Sequence, residues 1–477
     1  MEPACVWDAF ADLNAVPRAS KKEAAASKFV ADRGRKLGLE TFTDSLGNVL
    51  VRKPSSPGYE KHPTVVLQSH IDMVCQKNSD SNFDFDTQGI QMLVEDDYVR
   101  ADGTTLGADN GIGVATILAT LGSDTMKHPP LECLFTIDEE TGLTGAKELD
   151  PSWLNGKVLL NLDTEMDNEL TIGCAGGADV TAAAVYAPEI APRNCKVFDL
   201  HIRGLTGGHS GMDIHLGRAN ANKIMNRILW HAHHRYGLRI VSLEGGSLRN
   251  AIPRESKSKV MVPKDHADAF SSWLKHEEFS IRAECAISDP ELMITCQVSQ
   301  VEGAKVMPRI SQQTFLSAVS GTLSGILRMS PTIPGLVQTS NNLARVVVEN
   351  GNITVLCLTR SSVDTERDAL TESLTSVLEQ LGGSVVVSGK YPGWHPAPMS
   401  KIVKLMGDLY QEMFGEPARV SACHAGLECG IIGCKFPGME MISFGPNIFG
   451  AHSPDERVQI SSVQKFFNFY TKTLERL

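Results

Sequence analysis

A chain of 477 residues, 42% hydrophobic and 21% charged, exceeds the size at which one hydrophobic core keeps growing, so at least two domains are expected. The formal net charge of -11 supplies no electrostatic footprint for nucleic acid or an anionic membrane. No apolar run reaches the ~20 residues of a spanning helix, the amino terminus lacks the basic start and apolar core of a secretory signal, and the 11 cysteines are scattered singly. A cytoplasmic protein with reduced thiols and a small ligand is expected.

In chain order, "KEAAASKFVADRGRKLGLE" reads as a helix stopping near Gly38. "HPTVVLQSH", "LECLFTIDEE" and "KVLLNLDTE" read as buried strands of an α/β sheet, and "NGIGVATILATLGS" as a loop turning into an apolar helix. From Gly177 the character changes. "ADVTAAAVY" and "CKVFDLHIRG" alternate as half-exposed strands, and "ANKIMNRILWHAHHRYG" is an amphipathic helix ending at Gly237, on which His231, His233 and His234 are expected to be solvated. "NITVLCLTRSS", "DALTESLTSVLEQLGG" and "SVVVSG" follow as strand, helix and strand of an antiparallel sheet covered by helices on one side. After the Pro- and Gly-rich "KYPGWHPAP" the first pattern returns, with a helix from Ser400 to Met413 and the strand-like "MEMISFG". The expected organisation is an α/β domain in two parts, 1-176 and 390-477, with an α+β domain, 177-389, inserted between them.

The strands of the first domain share a feature at their ends. "VVLQ" is followed by His70 and Asp72, "CLFTI" by Asp138, Glu139 and Glu140, "VLLNL" by Asp163, and "MISF" by a loop carrying His452. In open α/β sheets ligands bind outside the carboxyl ends of the strands, so separate segments deliver carboxylates and imidazoles to one edge. The glycine-rich "GADNGIG" adds Asp109; it lacks the Gly-Lys-Ser/Thr ending of a phosphate loop and carries an acid that would repel phosphate. Such an acidic cluster is costly unless it holds cations or is well hydrogen-bonded. Mixed imidazole and carboxylate donors suit zinc, and also cobalt or manganese. A pair of metals with one bridging carboxylate and two terminal ligands on each side needs five groups, the number that His70, Asp109, Glu140, Asp163 and His452 supply. Cys423, Cys429 and Cys434 lack the paired spacing of a structural zinc site.

"SHIDMVCQKN", "GTTLGADNGIG", "DEETG", "LLNLDTE", "GLTGGHSGMDIHLGRANA", "RNAIPRE", "CHAGLECG" and "AHSPDER" occur in this order through nearly the whole chain. As an ordered set they resemble the aminoacyl-histidine dipeptidases (Xaa-His dipeptidases, carnosinases) of the bacterial peptidase D type in the M20 metallopeptidases. The resemblance implies a di-zinc aminopeptidase-like catalytic domain with an inserted lid and dimerisation domain. It implies two zinc ions, His70 and Asp163 on one, Glu140 and His452 on the other, with Asp109 bridging. It further implies Glu139 as general base and Asp72 as the residue orienting the His70 ring. His209 of "GGHSG" resembles the histidine that stabilises the tetrahedral oxyanion, Arg360 lies where the family carries an arginine for the substrate carboxylate, and Asn250 and Glu428 are candidates to meet substrate, Glu428 at its amine. The implied function is hydrolysis of Xaa-His dipeptides by a homodimer joined through the lid.

Two positions depart from the bacterial pattern, Ser69 where glycine is common and Cys75 in place of proline, the latter suggesting a thiol-sensitive site edge. An N-acyl amino acid deacylase or a carboxypeptidase on the same metal centre is the main alternative, and a non-catalytic zinc scaffold a weaker one, since it would have lost Glu139 or a ligand.

Overall fold

The computed structural model describes residues 1–300 and 305–477. The chain forms two compact units, one of Met1–Gly173, Trp394–Ala422 and Leu427–Leu477, the other of Cys174–Gly393 with the short stretch Cys423–Gly426.

The first unit is organised by an eight-stranded mixed sheet. At its centre Leu131–Thr136, Val65–His70, Val158–Asn161 and Glu440–Ser443 lie side by side in that order, each parallel to its neighbour. A strand packed on both faces must be apolar throughout rather than alternating, and Val65–His70 and Leu131–Thr136 are buried at every position. Because the four strands are parallel, the residues that follow them emerge at one edge. The helix Ala24–Lys36 stops where expected, with Gly38 at φ 71°, and Lys401–Phe414 forms the expected helix of the returning chain.

The second unit is a nine-stranded antiparallel sheet. Its strands Cys195–Arg203, Arg239–Gly245, Ser256–Pro263 and Met293–Ser299, with helices Ala221–Tyr236 and Lys264–Glu284, follow the chain order strand, helix, strand, strand, helix, strand. Gly176–Val185, Arg309–Gly321, Val337–Glu349, Asn352–Ser361, Asp364–Leu378 and Ser384–Tyr391 repeat that order around the first module, and Arg239–Gly245 pairs with Val337–Glu349 to join the two. Phe198, Leu200 and Ile202 point into a core with Leu229, Phe270 and Phe315, whereas Asp199 and His201 alternate onto the other face beside Lys259 and Lys257. The fully solvated helix face expected at His231, His233 and His234 is not what forms. Only His234 is exposed; His231 packs on Trp273 with ring centroids 6.2 Å apart, and His233 Nδ1 lies 2.8 Å from Gln312 Nε2. The helix packs against both Lys264–Glu284 and Arg309–Gly321, so its buried stripe is wider than one neighbour would require.

Candidate functional site

The shared edge of the parallel strands carries the polar cluster. His70 ends its strand and is 1% exposed. Glu139 and Glu140 lie just past Thr136, Asp163 just past Asn161, and His452 on the turn after the strand Ile448–Phe449. Asp109 heads the helix Ala108–Gly122 with non-helical backbone (φ -81°, ψ 109°), and the Asp109–Asn110 peptide is cis.

Four side chains converge on Asp109 and its two oxygens. His70 Nε2 is 3.2 Å from Asp109 Oδ1 and 3.3 Å from Asp163 Oδ1. On the other side His452 Nε2 is 3.2 Å from Asp109 Oδ2 and 3.0 Å from Glu140 Oε2. Zinc–ligand bonds of about 2.0–2.1 Å in a tetrahedron place neighbouring donors about 3.3 Å apart, so these spacings fit a metal on each side of Asp109. Donor atoms of His70, Asp109 and Glu140 all lie within 4.8 Å of one another, and Glu140 Oε1 is buried with no hydrogen-bond partner among the described residues. The donor chemistry and the unpartnered oxygen both suit divalent cations. No such group is built on Cys423, Cys429 and Cys434 among the described residues.

Without cations, protons do the work of neutralisation. Burial would strip His70 of its proton, but Asp163, Asp109 and Asp72 outweigh it and hold the imidazolium well above its ordinary range. Hydrogen bonds to Asp109 and Glu140 push His452 up to about 11. Burial would raise Asp109, yet the two imidazoles hold it well below the usual carboxylate range. Glu139 is shifted the other way: burial first, with Asp163, Glu140 and Glu428 adding to it against His70, raises its proton affinity well above that of an ordinary glutamate. Its side chain makes no hydrogen bond or ion pair within the described residues, which leaves both oxygens for a water or a substrate.

Several buried groups tie the loops carrying these donors together, among them Asn110 and Arg18, which carried no local signal in the sequence. Asp72 faces His70 Nδ1 at 3.4 Å while its oxygens accept the N–H groups of Glu139 (3.1 Å) and Glu140 (3.3 Å) and the Ser20 hydroxyl (2.8 Å). Asn110 donates to Leu162 O at 2.7 Å and to the Asp163 carboxylate. Arg18, 1% exposed, donates to Ile71 O, Asp72 O and, at 2.6 Å, Gly107 O. Gln68 did leave a trace as a polar residue within an apolar run. It donates to Glu428 Oε2 at 2.6 Å, which also accepts from Thr136 Oγ1 at 2.7 Å. Glu428 is 1% exposed, its Oε1 has no partner within the described residues, and burial pushes its carboxyl up to about 7.

Cys75 is half-buried, and burial pushes its thiol up to about 11, so at neutral pH the thiolate needed for alkylation is scarce.

The second unit gathers a different set. Backbone N–H groups of Gly211 (3.2 Å) and Met212 (3.0 Å) donate to His209 Nδ1, which assigns the ring proton to Nε2. Arg360, 5% exposed, extends Nη2 to within 3.3 Å of that Nε2 and donates to Tyr391 Oη at 3.1 Å and Ser210 Oγ at 3.3 Å. With a proton on Nε2, His209 and Arg360 present two N–H donors side by side, an arrangement that could hold an acceptor such as a carboxylate. His424, from the Cys423–Gly426 stretch, bonds Ser340 Oγ through Nε2 at 2.7 Å, and burial with the Arg360 charge lowers its pKa to about 3. Asn250 is exposed, and its carbonyl accepts Ser210 N–H at 2.7 Å, pinning the residue beside His209.

A model of peptidase family M20/M25/M40 matches residues 66–476. The chain belongs to this family. Its curated relatives include the cytosol non-specific dipeptidase of Escherichia coli (strain K12), 37% identical over 477 residues, covering 100% of this chain and 98% of that one. The crystal structure of aminoacylhistidine dipeptidase from Vibrio alginolyticus superposes with a TM-score of 0.93 at 40% identity, covering 100% of this chain and 97% of that chain. Aminopeptidase PepT from Bacillus cereus shares the M20 fold at 16% identity and a TM-score of 0.56. The M20 fold expected from the sequence motifs, a mixed catalytic sheet with a separate antiparallel sheet in an inserted domain, is the one observed.

Proposed function

We propose that this peptidase hydrolyses dipeptides, Xaa-His and carnosine-like ones preferentially, in the cytoplasm. The reading is carried by the five-donor cluster around Asp109 in a chain similar, end to end, to an aminoacylhistidine dipeptidase and a cytosol dipeptidase. His70 and Asp163 would hold one zinc ion and Glu140 and His452 the other, with Asp109 shared; cobalt or manganese could substitute. When bound, two such ions lower the pKa of water toward neutrality and polarise the scissile carbonyl.

The chain's own groups supply the rest. Glu139, unengaged and with raised proton affinity, accepts a proton from the attacking water and delivers it to the leaving amine. Asp72 keeps the His70 ring in its ligating tautomer. His209 donates its Nε2 proton to the carbonyl oxygen as negative charge develops there. Arg360 takes the free carboxylate, Asn250 donates to the substrate, and Glu428 supplies negative charge toward its free amine. A homodimer joined through the inserted domain belongs to the same reading, and light scattering reads it directly.

The test is release of free amino acids from β-Ala-His, Gly-His, Leu-Gly and their N-acetylated forms, with and without chelator and added zinc. Chelator-sensitive cleavage of unblocked Xaa-His supports the reading; cleavage of the acetylated forms alone would assign a deacylase instead. Charged hydrogen bonds contribute about 1.5–3 kcal/mol, so Arg360→Ala is expected to raise KM about 10- to 100-fold for free-carboxylate dipeptides and leave amidated ones unchanged. Equal losses on both would remove the carboxylate role.

A further inference from the structure

Of the four donors around Asp109, His452 is the least supported by its surroundings. Its side chain is 53% exposed, its backbone is left-handed (φ 63°), and its side-chain hydrogen bonds go to Asp109 and Glu140, themselves members of the cluster. Four residues on, Glu456 is 2% exposed. Its carboxylate accepts four consecutive backbone N–H groups, with Oε2 taking Leu106 (2.7 Å) and Gly107 (2.9 Å) and Oε1 taking Ala108 (2.7 Å) and Asp109 (3.3 Å). One side chain from the His452 turn thus grips the segment that presents Asp109. The turn itself is closed by Ser453 N–H to Gly450 O (3.2 Å) and Glu456 N–H to Ser453 O (3.0 Å), which transmits that grip to His452.

The gripped segment admits little else. Gly107 sits at φ 70°, and a Cβ there would lie 2.3 Å from Arg18 Nη2, so its peptide is held on one side by Glu456 and on the other by Arg18. Arg18 also holds the carbonyls of Ile71 and Asp72, next to His70. Resting on the metal-centre reading above, we propose that Glu456 is a positioning residue. It sets His452 against Asp109, and through them the affinity for metal at the position that Asp109, Glu140 and His452 share. It acts through the backbone and touches neither substrate nor the reacting atoms.

Glu456→Gln keeps the side-chain volume but turns an amide N–H₂ toward one pair of backbone N–H donors. The comparison is Glu132→Gln, which removes a carboxylate 3% exposed that likewise accepts backbone N–H groups, of Asn155 (2.8 Å) and Gly156 (3.0 Å), at the opposite end of its strand from the cluster. Zinc uptake by the full chain is titrated against a chromophoric chelator, and the Tm of the metal-free proteins is recorded alongside. Outer partners of metal ligands typically change metal affinity about 10- to 100-fold. The expected result is a loss of that size in Glu456→Gln, unchanged affinity in Glu132→Gln, and a comparable fall in metal-free Tm in both. Wild-type affinity in Glu456→Gln, or an equal loss in Glu132→Gln, overturns the proposal while leaving the metal centre intact. A wild-type chain that takes up no zinc overturns the metal reading and the proposal with it.

Discussion

Glu139→Gln is expected to lower kcat on an Xaa-His dipeptide by about 10²- to 10⁴-fold, the range spanned by general acid–base catalysis, with metal content unchanged. Asp163, Asp109 and Glu140 each approach an imidazole, whereas the Glu139 side chain engages none of the described residues, which suits it to proton transfer rather than ligation in the proposed reading. Its backbone N–H is fixed by Asp72 at 3.1 Å, so the amide variant should occupy the same place. What glutamine cannot do is accept a proton. Near-normal kcat in a variant retaining both metals would end the general-base assignment.

Asp109→Ala is expected to empty both metal positions, because each of its oxygens faces a different histidine at 3.2 Å. Metal content after dialysis checks this, and retention of one ion with full affinity would argue against a bridge. The same geometry dictates a pH dependence of metal uptake in the unmutated protein. His70 and His452 hold protons tightly when no cation is bound, the latter with a pKa of about 11, so a metal must displace up to two protons. Uptake in weakly buffered solution should therefore release acid, and affinity should fall as the pH is lowered. The proton-held form behaves oppositely. A histidine whose folded pKa is raised stabilises the metal-free fold below its ordinary value near 6.5, and His452's share fades as pH rises through about 11.

The sequence by itself determined the strands and what they carry. A parallel strand buried on both faces must be continuously apolar, so the run before His70 and Asp72 was legible, as were the acids ending "CLFTIDEE" and "VLLNLD". The number of donors was legible for the same reason, since charged groups at a buried edge need a partner that outweighs their desolvation. Only the tertiary structure decided the distances at which the donors meet, that two backbone N–H groups reach Nδ1 of His209, and that His231 and His233 are half-buried. It alone revealed Glu456 and Arg18, whose bonds reach backbone groups 347–350 and 53–89 residues away. Hydrophobic periodicity reports how one segment meets its nearest surroundings. A backbone N–H or carbonyl is the same in every residue, so the sequence does not say which distant side chain will hold it.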